Sequence, residues 1–348
     1  MNEVTAILNA TDFLEEKVGF LRHPRAYTDT ENVEVIETHM SFIFLTDKFV
    51  YKLKKPVSFG YLDFSTREAR YKYCLEEVRV NAPLAEDTYL GVIPIRYSHG
   101  RMGLKGSGTI VDWLVKMKRL PSQMMLDAAI KAGTVRHAML AGVVEKLVGF
   151  YQGSASIYPD ASEYRARILR DIERDEADLL NQKFNLDTSV VLAVSRRLFH
   201  FVSSYAFVFD ERIAGGRVID AHGDLRPEHI CLGPSPLIID RLEFNAEFRV
   251  MDIAEELCFL AIECERLGSA EVGTMFVNFY QLRTQDRIPE MLVNFYRARR
   301  ALLRAKLSIC HLLEEKYRAN SPKWIERCES YLHVADVCSR QLPFLSGN

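Results

Sequence analysis

The chain is expected to fold as an α+β protein in two parts, a small antiparallel sheet and a larger, mainly helical region. Three observations predict this. Up to about residue 118 apolar and polar residues alternate in short segments, as half-buried strands require. From Pro121 onward the spacing of apolar residues becomes helical. Late in the chain two aspartates, Asp224 and Asp240, close apolar runs joined by the turn Gly233-Pro234-Ser235-Pro236. The parts are accordingly drawn as residues 1–118 and 119–348.

The strand segments are 33–36, 41–46, 49–53, 90–95 and 109–118, with Thr46-Asp47-Lys48 and Ser98-His99-Gly100 as turns. One helix interrupts them. Ser65-Thr66-Arg67-Glu68 offers a capping box, and the segment runs to about Asn81 before Pro83 stops it. Met117-Lys118-Arg119-Leu120 connects the parts. Helical segments follow at 123–131, 134–153, 161–181 and 188–213, the last ended by Gly215-Gly216. After the short strands that carry the aspartates come 253–267, stopped by Gly268, then 270–284, 290–316 and 322–340.

At 348 residues and 48% hydrophobic, the chain can bury a large core. A net charge of -2 favours neither nucleic acid nor an anionic membrane as partner. The seven cysteines are odd in number and scattered, and no C-x-x-C occurs, which fits reduced thiols rather than a disulfide framework or zinc site. No apolar run approaches the roughly 20 residues that span a bilayer. The start, Met1-Asn2-Glu3-Val4, has no basic n-region, so a cytoplasmic location is expected.

Two separated carboxylates at strand ends suit phosphoryl transfer, which needs one group to accept the nucleophile's proton and others to hold the metal that neutralises a triphosphate. Asp224 would face the substrate hydroxyl and Asp240 the metal. His222-Gly223-Asp224-Leu225 with Asp240 resembles the aminoglycoside phosphotransferase and choline kinase group of the protein-kinase-like superfamily. Glu37-Thr38-His39-Met40-Ser41, Tyr51-Lys52-Leu53-Lys54-Lys55-Pro56 and Leu62-Asp63-Phe64-Ser65-Thr66 resemble an uncharacterised bacterial branch of that group. The resemblance implies a bilobal protein-kinase-like fold, with the sheet as N-lobe and the helices as C-lobe, and a phosphotransferase that uses ATP with Mg2+ or Mn2+ on a small-molecule hydroxyl.

It also implies roles. Lys52, an ammonium inside an apolar strand, contacts the α and β phosphates, and Glu77 on the following helix pairs with it, Glu76 being the competing choice. The other reading is that Lys52, Lys54 and Lys55 form a solvated strand edge. His222 braces the catalytic loop, and backbone groups of Met117, Lys118 and Leu120 offer themselves to adenine.

Two departures from the family pattern stand out. His229 occupies the position five residues after Asp224 where the family carries a metal-binding asparagine. An imidazole nitrogen is a poor ligand for magnesium, so His229 either joins the metal site or hydrogen-bonds the loop, with Glu228 or a water filling the gap. The stretch from Val33 to Leu53 contains no glycine, so the hydroxyls of Thr38 and Ser41, with His39, either donate to phosphate or cap a hairpin.

Hints about the acceptor conflict. Asp252, Glu255, Glu256, Glu263 and Glu265 suggest a cationic substrate, whereas Arg297, Arg300 and Arg304 suggest an anionic one. Solvated helix faces explain both as well, and for Asp252 a structural role is the default. A pseudokinase acting as a nucleotide-binding regulatory module is the alternative reading, supported by His229 and the missing glycines. A protein kinase ranks last, because no Asp-Phe-Gly, activation segment and Ala-Pro-Glu are present.

Overall fold

The computed structural model describes residues 13–28, 30–184 and 186–343. The start at Met1 lies outside them. Contacts group the chain into two units, and the division is discontinuous: Leu237–Phe248 belongs with the residues up to Met124, and Met125–Pro236 with those from Arg249 onward. The single cut between residues 118 and 119 therefore differs from the observed grouping.

In the first unit a six-stranded antiparallel sheet has the order β1-β2-β3-β8-β6-β7. Its strands are β1 (Glu34–Glu37), β2 (Ser41–Leu45), β3 (Phe49–Lys54), β6 (Tyr89–Ser98), β7 (Arg101–Gly103) and β8 (Thr109–Lys118). A two-stranded hairpin, β4 (Ser58–Phe59) and β5 (Leu62–Asp63), stands apart from it, and β11 (Leu237–Ile238) is a short strand. Strand alternation gives the sheet two faces. Phe42, Phe44, Tyr51, Leu53 and Leu114 bury one of them under Val18 and Leu21 of α1 (Leu14–Leu21). Each such side chain is worth roughly 1.5–3 kcal/mol on burial. Ser41, Ile43, Val50, Lys52 and Lys54 occupy the other face, as the register of β2 against β3 requires.

Helix α1 has no clear sequence signal, because it is one residue over two turns long and its buried side includes Lys17. Lys17 instead meets Asp112 of β8 at 2.7 Å, and Arg70 grips the same carboxylate through two bonds of 2.9 Å. Helix α2 (Arg67–Asn81) begins one residue later than the capping box places it. Thr66 is the N-cap, accepting a hydrogen bond from the Ala69 N–H, while Glu68 pairs with Arg67.

The second unit is helical, with α3 (Leu126–Lys131), α4 (His137–Gly153), α5 (Ala161–Leu179), α6 (Thr188–Ser204), α7 (Ala206–Ala214), α8 (Ile253–Arg266), α9 (Ala270–Thr284), α10 (Glu290–Ile309), α11 (Glu315–Arg318) and α12 (Ser321–Arg340). Short strands β9 (Val218–Asp220), β10 (Ile230–Cys231) and β12 (Val250–Asp252) frame its loops, β9 pairing with β12. The segment 188–213 is two helices, broken where Tyr205 leaves helical geometry and stacks on Phe201. The segment 290–316 ends as an α-helix at Ile309 and passes through a 3-10 turn to an extended Glu314. Helix α8 is buried continuously from Ile253 to Cys264 and forms the centre of the unit. Gly273 lets α9 cross it closely, since a Cβ there would lie 2.7 Å from the Ala261 backbone. Among the described residues no helix is long and apolar enough to cross a membrane.

Candidate active site

In the first unit, β3 is an interior strand of the sheet, so its lysines are not a solvated edge. The pleat turns Lys52 and Lys54 to the same face. Glu77, fully buried on α2, accepts from both: its Oε1 lies 2.9 Å from the Lys52 ammonium and its Oε2 2.7 Å from that of Lys54. Lys52 also donates to Asp240 at 2.8 Å, and Lys54 to Glu243. Glu76, the competing choice, pairs with Arg79 on the exposed side of the helix. Lys55 is buried too. Its ammonium bonds Glu37 and the Thr38 carbonyl and lies over the Phe42 ring.

Two ammonium groups thus face three carboxylates. Burial works against the charge on Lys52, but Asp240 and Glu77 hold its pKa well above the ordinary value. Burial likewise opposes the charge on Glu77, and Lys52 and Lys54 hold it below the usual carboxylate range. Glu243 goes the other way, pushed up by burial, since the cations do not suffice for all three acids. Asp240 is the solvent-accessible member, its side chain 40% exposed. Its φ of 63° is left-handed, a strained conformation for a residue other than glycine. The Tyr89 hydroxyl, accepting from the Asp240 N–H at 3.0 Å, and Asn81, accepting from the Arg241 N–H at 2.8 Å, hold the backbone there.

The turn of Thr38 to Ser41 is a hairpin cap. The Thr38 hydroxyl donates to the Ser41 carbonyl and accepts from the Ser41 N–H at 2.9 Å, so its one proton is engaged within the turn. Thr46 caps the β2–β3 turn in the same way on Phe49. Ser41 is buried opposite Lys54, on the face that carries Lys52. Of the connecting stretch, Met117 lies in β8 between Val50 and Tyr89, and the N–H groups of Lys118 and Arg119 donate to Thr88 and Lys48.

In the second unit, Asp224 sits on a loop closed by Gly223, whose φ of 88° suits glycine. The Gly223 N–H donates to Glu256 at 2.8 Å, and the Tyr151 hydroxyl donates to the other oxygen of that carboxylate. His222 is fully buried and its Nδ1 accepts from the Asp224 N–H at 3.3 Å. Arg226 spans the loop, with guanidinium nitrogens 3.0 Å from Asp224 and 2.7 Å from Glu228. Burial opposes its charge, but Asp224 and Glu228 keep its pKa raised. His229 is committed on both sides: Nδ1 donates to the Asp224 carbonyl at 2.8 Å, and Nε2 accepts from Arg226 at 3.0 Å. Both ring nitrogens of His229 thus lie within hydrogen-bonding distance of groups of its own loop.

The substrate hints resolve into one another. Arg297 pairs with Glu265, Arg299 and Arg300 with Glu255, and Arg304 with Glu263, so the acidic and basic faces are the two sides of one α8–α10 contact. Asp252 caps α8 through the Ala254 N–H and accepts from Arg212 and Tyr296. Sequence reasoning assigned no site role to Lys54, Glu243, Tyr89 or Arg226. The i, i+2 spacing of Lys54 from Lys52 was the available signal. For Glu243 and Tyr89 the partner lies far away in sequence, whereas Arg226 pairs within its own loop.

No family model matches the chain. Uncharacterized proteins of Mycobacterium tuberculosis and Mycobacterium bovis are 30% identical over 302 residues, which is 85% of this chain and 58% of each relative. The chain thus spans less than two thirds of the curated relatives it matches. Among solved structures it is similar to the GDP and kanamycin complex of APH(2")-IIia, with a TM-score of 0.51 and 14% identity, covering 93% of this chain and 99% of the other. A choline/ethanolamine kinase family protein from Mesorhizobium loti matches at a TM-score of 0.49 and 16% identity, covering 95% and 99%. At that identity the first likeness is one of fold: a six-stranded antiparallel sheet and a helical C-terminal part, as in the kinase-like fold.

Proposed function

Proceeding from a protein-kinase-like fold, we propose that this chain is a phosphotransferase that moves the γ-phosphoryl group of ATP to a hydroxyl of a small molecule. One observation carries the reading: Lys52 held between the buried Glu77 and the accessible Asp240, a set one positive charge short and open to solvent at Asp240. A carboxylate oxygen suits a hard cation. Among the described residues no three His, Cys, Asp or Glu side chains converge as a metal cage. That fits magnesium, which is usually bound by one or two carboxylates together with substrate phosphates. Mg2+ or Mn2+ held at Asp240 would neutralise charge developing on the triphosphate.

In this reading Lys52 exchanges Asp240 for the α and β phosphates while Glu77 keeps its ammonium in place. Ser41 is the hydroxyl available to phosphate, since that of Thr38 is engaged in its turn. With the Lys118 and Arg119 amides occupied, Leu120 supplies the backbone donor to adenine. Asp224 accepts the proton of the acceptor hydroxyl as its oxygen bonds to phosphorus and ADP leaves. His222 and His229 hold that loop. The pseudokinase alternative draws on the engaged ring of His229, which leaves the catalytic loop without a second metal ligand. Seven free cysteines support a reducing, cytoplasmic setting.

The test is nucleoside diphosphate release with Mg2+ or Mn2+, from ATP and from GTP, against pools of sugars, amino alcohols and nucleosides. Turnover in the wild type should fall by about a hundredfold or more in Asp224→Asn, with nucleotide affinity retained. Asp240→Ala should abolish the metal dependence of nucleotide binding seen by calorimetry. Binding without turnover on any pool would select the pseudokinase, and no binding with either metal would end the phosphotransferase reading.

A further inference from the structure

We propose that Lys54 and Glu243 are positioning residues, an inner ion pair that keeps Glu77 and the Asp240 segment in place when Lys52 turns from Asp240 to a nucleotide. This rests on the nucleotide reading of Lys52 and Asp240. The geometry is a ladder with two rungs. β3 supplies Lys52 and Lys54 at i and i+2, the segment after β11 supplies Asp240 and Glu243 at i and i+3, and Glu77 bridges the lysines with one oxygen on each. The rungs differ in access to water. Lys54 is 1% exposed and Glu243 9%, whereas Lys52 is 12% and Asp240 40%. Only the outer rung is open to a ligand.

That asymmetry solves a problem the outer rung creates. When Lys52 moves toward phosphate, Glu77, itself fully buried, shares its partner with a competing anion. A buried carboxylate left alone is costly, and helix α2 would shift to relieve it. The second oxygen of Glu77 stays on Lys54, 2.7 Å away and enclosed by protein, with the Phe64 ring 5.0 Å from the same ammonium. Asp240, being exposed, can give up Lys52 without that cost, but its backbone still has to be held. Its strained backbone stays anchored because Glu243, three residues on, remains on Lys54.

The test separates the inner rung from the outer without needing turnover. Amide hydrogen exchange is followed in α2 and in residues 239–244 for the ligand-free wild type, Lys52→Met, Lys54→Met and Lys54→Arg. Lys52→Met should leave both regions within about twofold of wild type, whereas Lys54→Met should speed exchange in both by about tenfold or more, with Lys54→Arg in between. If Lys54→Met does not fold, Glu243→Leu should loosen 239–244 and spare α2, because Glu77 keeps both lysines. Calorimetry with ATP and Mg2+ should then find affinity about tenfold weaker in Lys54→Met or Glu243→Leu than in wild type. Equal exchange in the Lys52 and Lys54 variants, or unchanged nucleotide affinity, overturns the positioning role alone. Failure of the wild type to bind nucleotide overturns the reading of Lys52 and Asp240, and the proposal with it.

Discussion

At the scale of single residues, buried charge is tolerated where each group has a partner, and the partners define the consequences of mutation. Asp112 is shared by Lys17 and Arg70, all three nearly inaccessible to water. Burial pushes the Lys17 ammonium below its ordinary pKa even beside that carboxylate. Asp112→Asn should therefore destabilise the protein by about 3–5 kcal/mol, because two cations lose their counter-charge at once. Lys17→Met should cost less, since the two bonds from Arg70 remain; urea unfolding of both variants is the check, and equal costs would contradict this ranking. Glu77 gives a pH dependence. Its carboxyl is held low in the folded state, so its contribution is complete above about pH 4.3, the unfolded value, and is lost as pH falls through the folded pKa. The urea midpoints of wild type and Glu77→Gln should differ at neutral pH and converge in that acid range. A gap undiminished well below the unfolded pKa would mean that Glu77 is not depressed.

At the scale of elements, the contact of α8 with α10 shows why charged helix faces are poor guides to a substrate. Glu263 is fully buried and receives Arg304, Arg266 and the Tyr331 hydroxyl, whereas Glu265 and Arg297 meet at 33% and 27% exposure. Arg304→Ala should cost about 3 kcal/mol, leaving a buried carboxylate short of charge, and Arg297→Ala no more than about 1 kcal/mol. Thermal or urea melts distinguish the two, and a larger loss at Arg297 would show that exposure is the wrong guide. Strands 41–46, 49–53 and 109–118 were legible because a sheet buried on one face imposes a period of two. Helix α1 was not, since a short helix whose buried side carries Lys17 has no apolar stripe to read. The capping box was misplaced by one residue because Ser65 and Thr66 are both competent caps.

At the scale of the whole molecule, all seven cysteines are free, six of them buried and Cys310 half-buried, and burial raises the thiol pKa at every one. A thiol reagent should label the native protein slowly, Cys310 first, and all seven sites promptly in urea. Rapid native labelling of several thiols would contradict the burial described for both units. Thiol release is then a probe of unfolding that needs no ligand.

The sequence by itself determined the fold class, the order of sheet and helices, and the identity of Lys52, Glu77, Asp224 and Asp240 as a candidate set. Alternation, helical spacing and the carboxylates at the ends of apolar runs are local or periodic properties, whereas Lys52 and Glu77 were singled out by the family resemblance. Tertiary structure decided what each polar group is paired with. Lys54 meets Glu243 across 189 residues of chain, Arg304 meets Glu263 across 41, and His229 turns both nitrogens to its own loop. Pairing of buried charge depends on which surfaces face each other, and a one-dimensional pattern holds no record of that. For the same reason two helix faces that read as rival substrate sites are each other's partners.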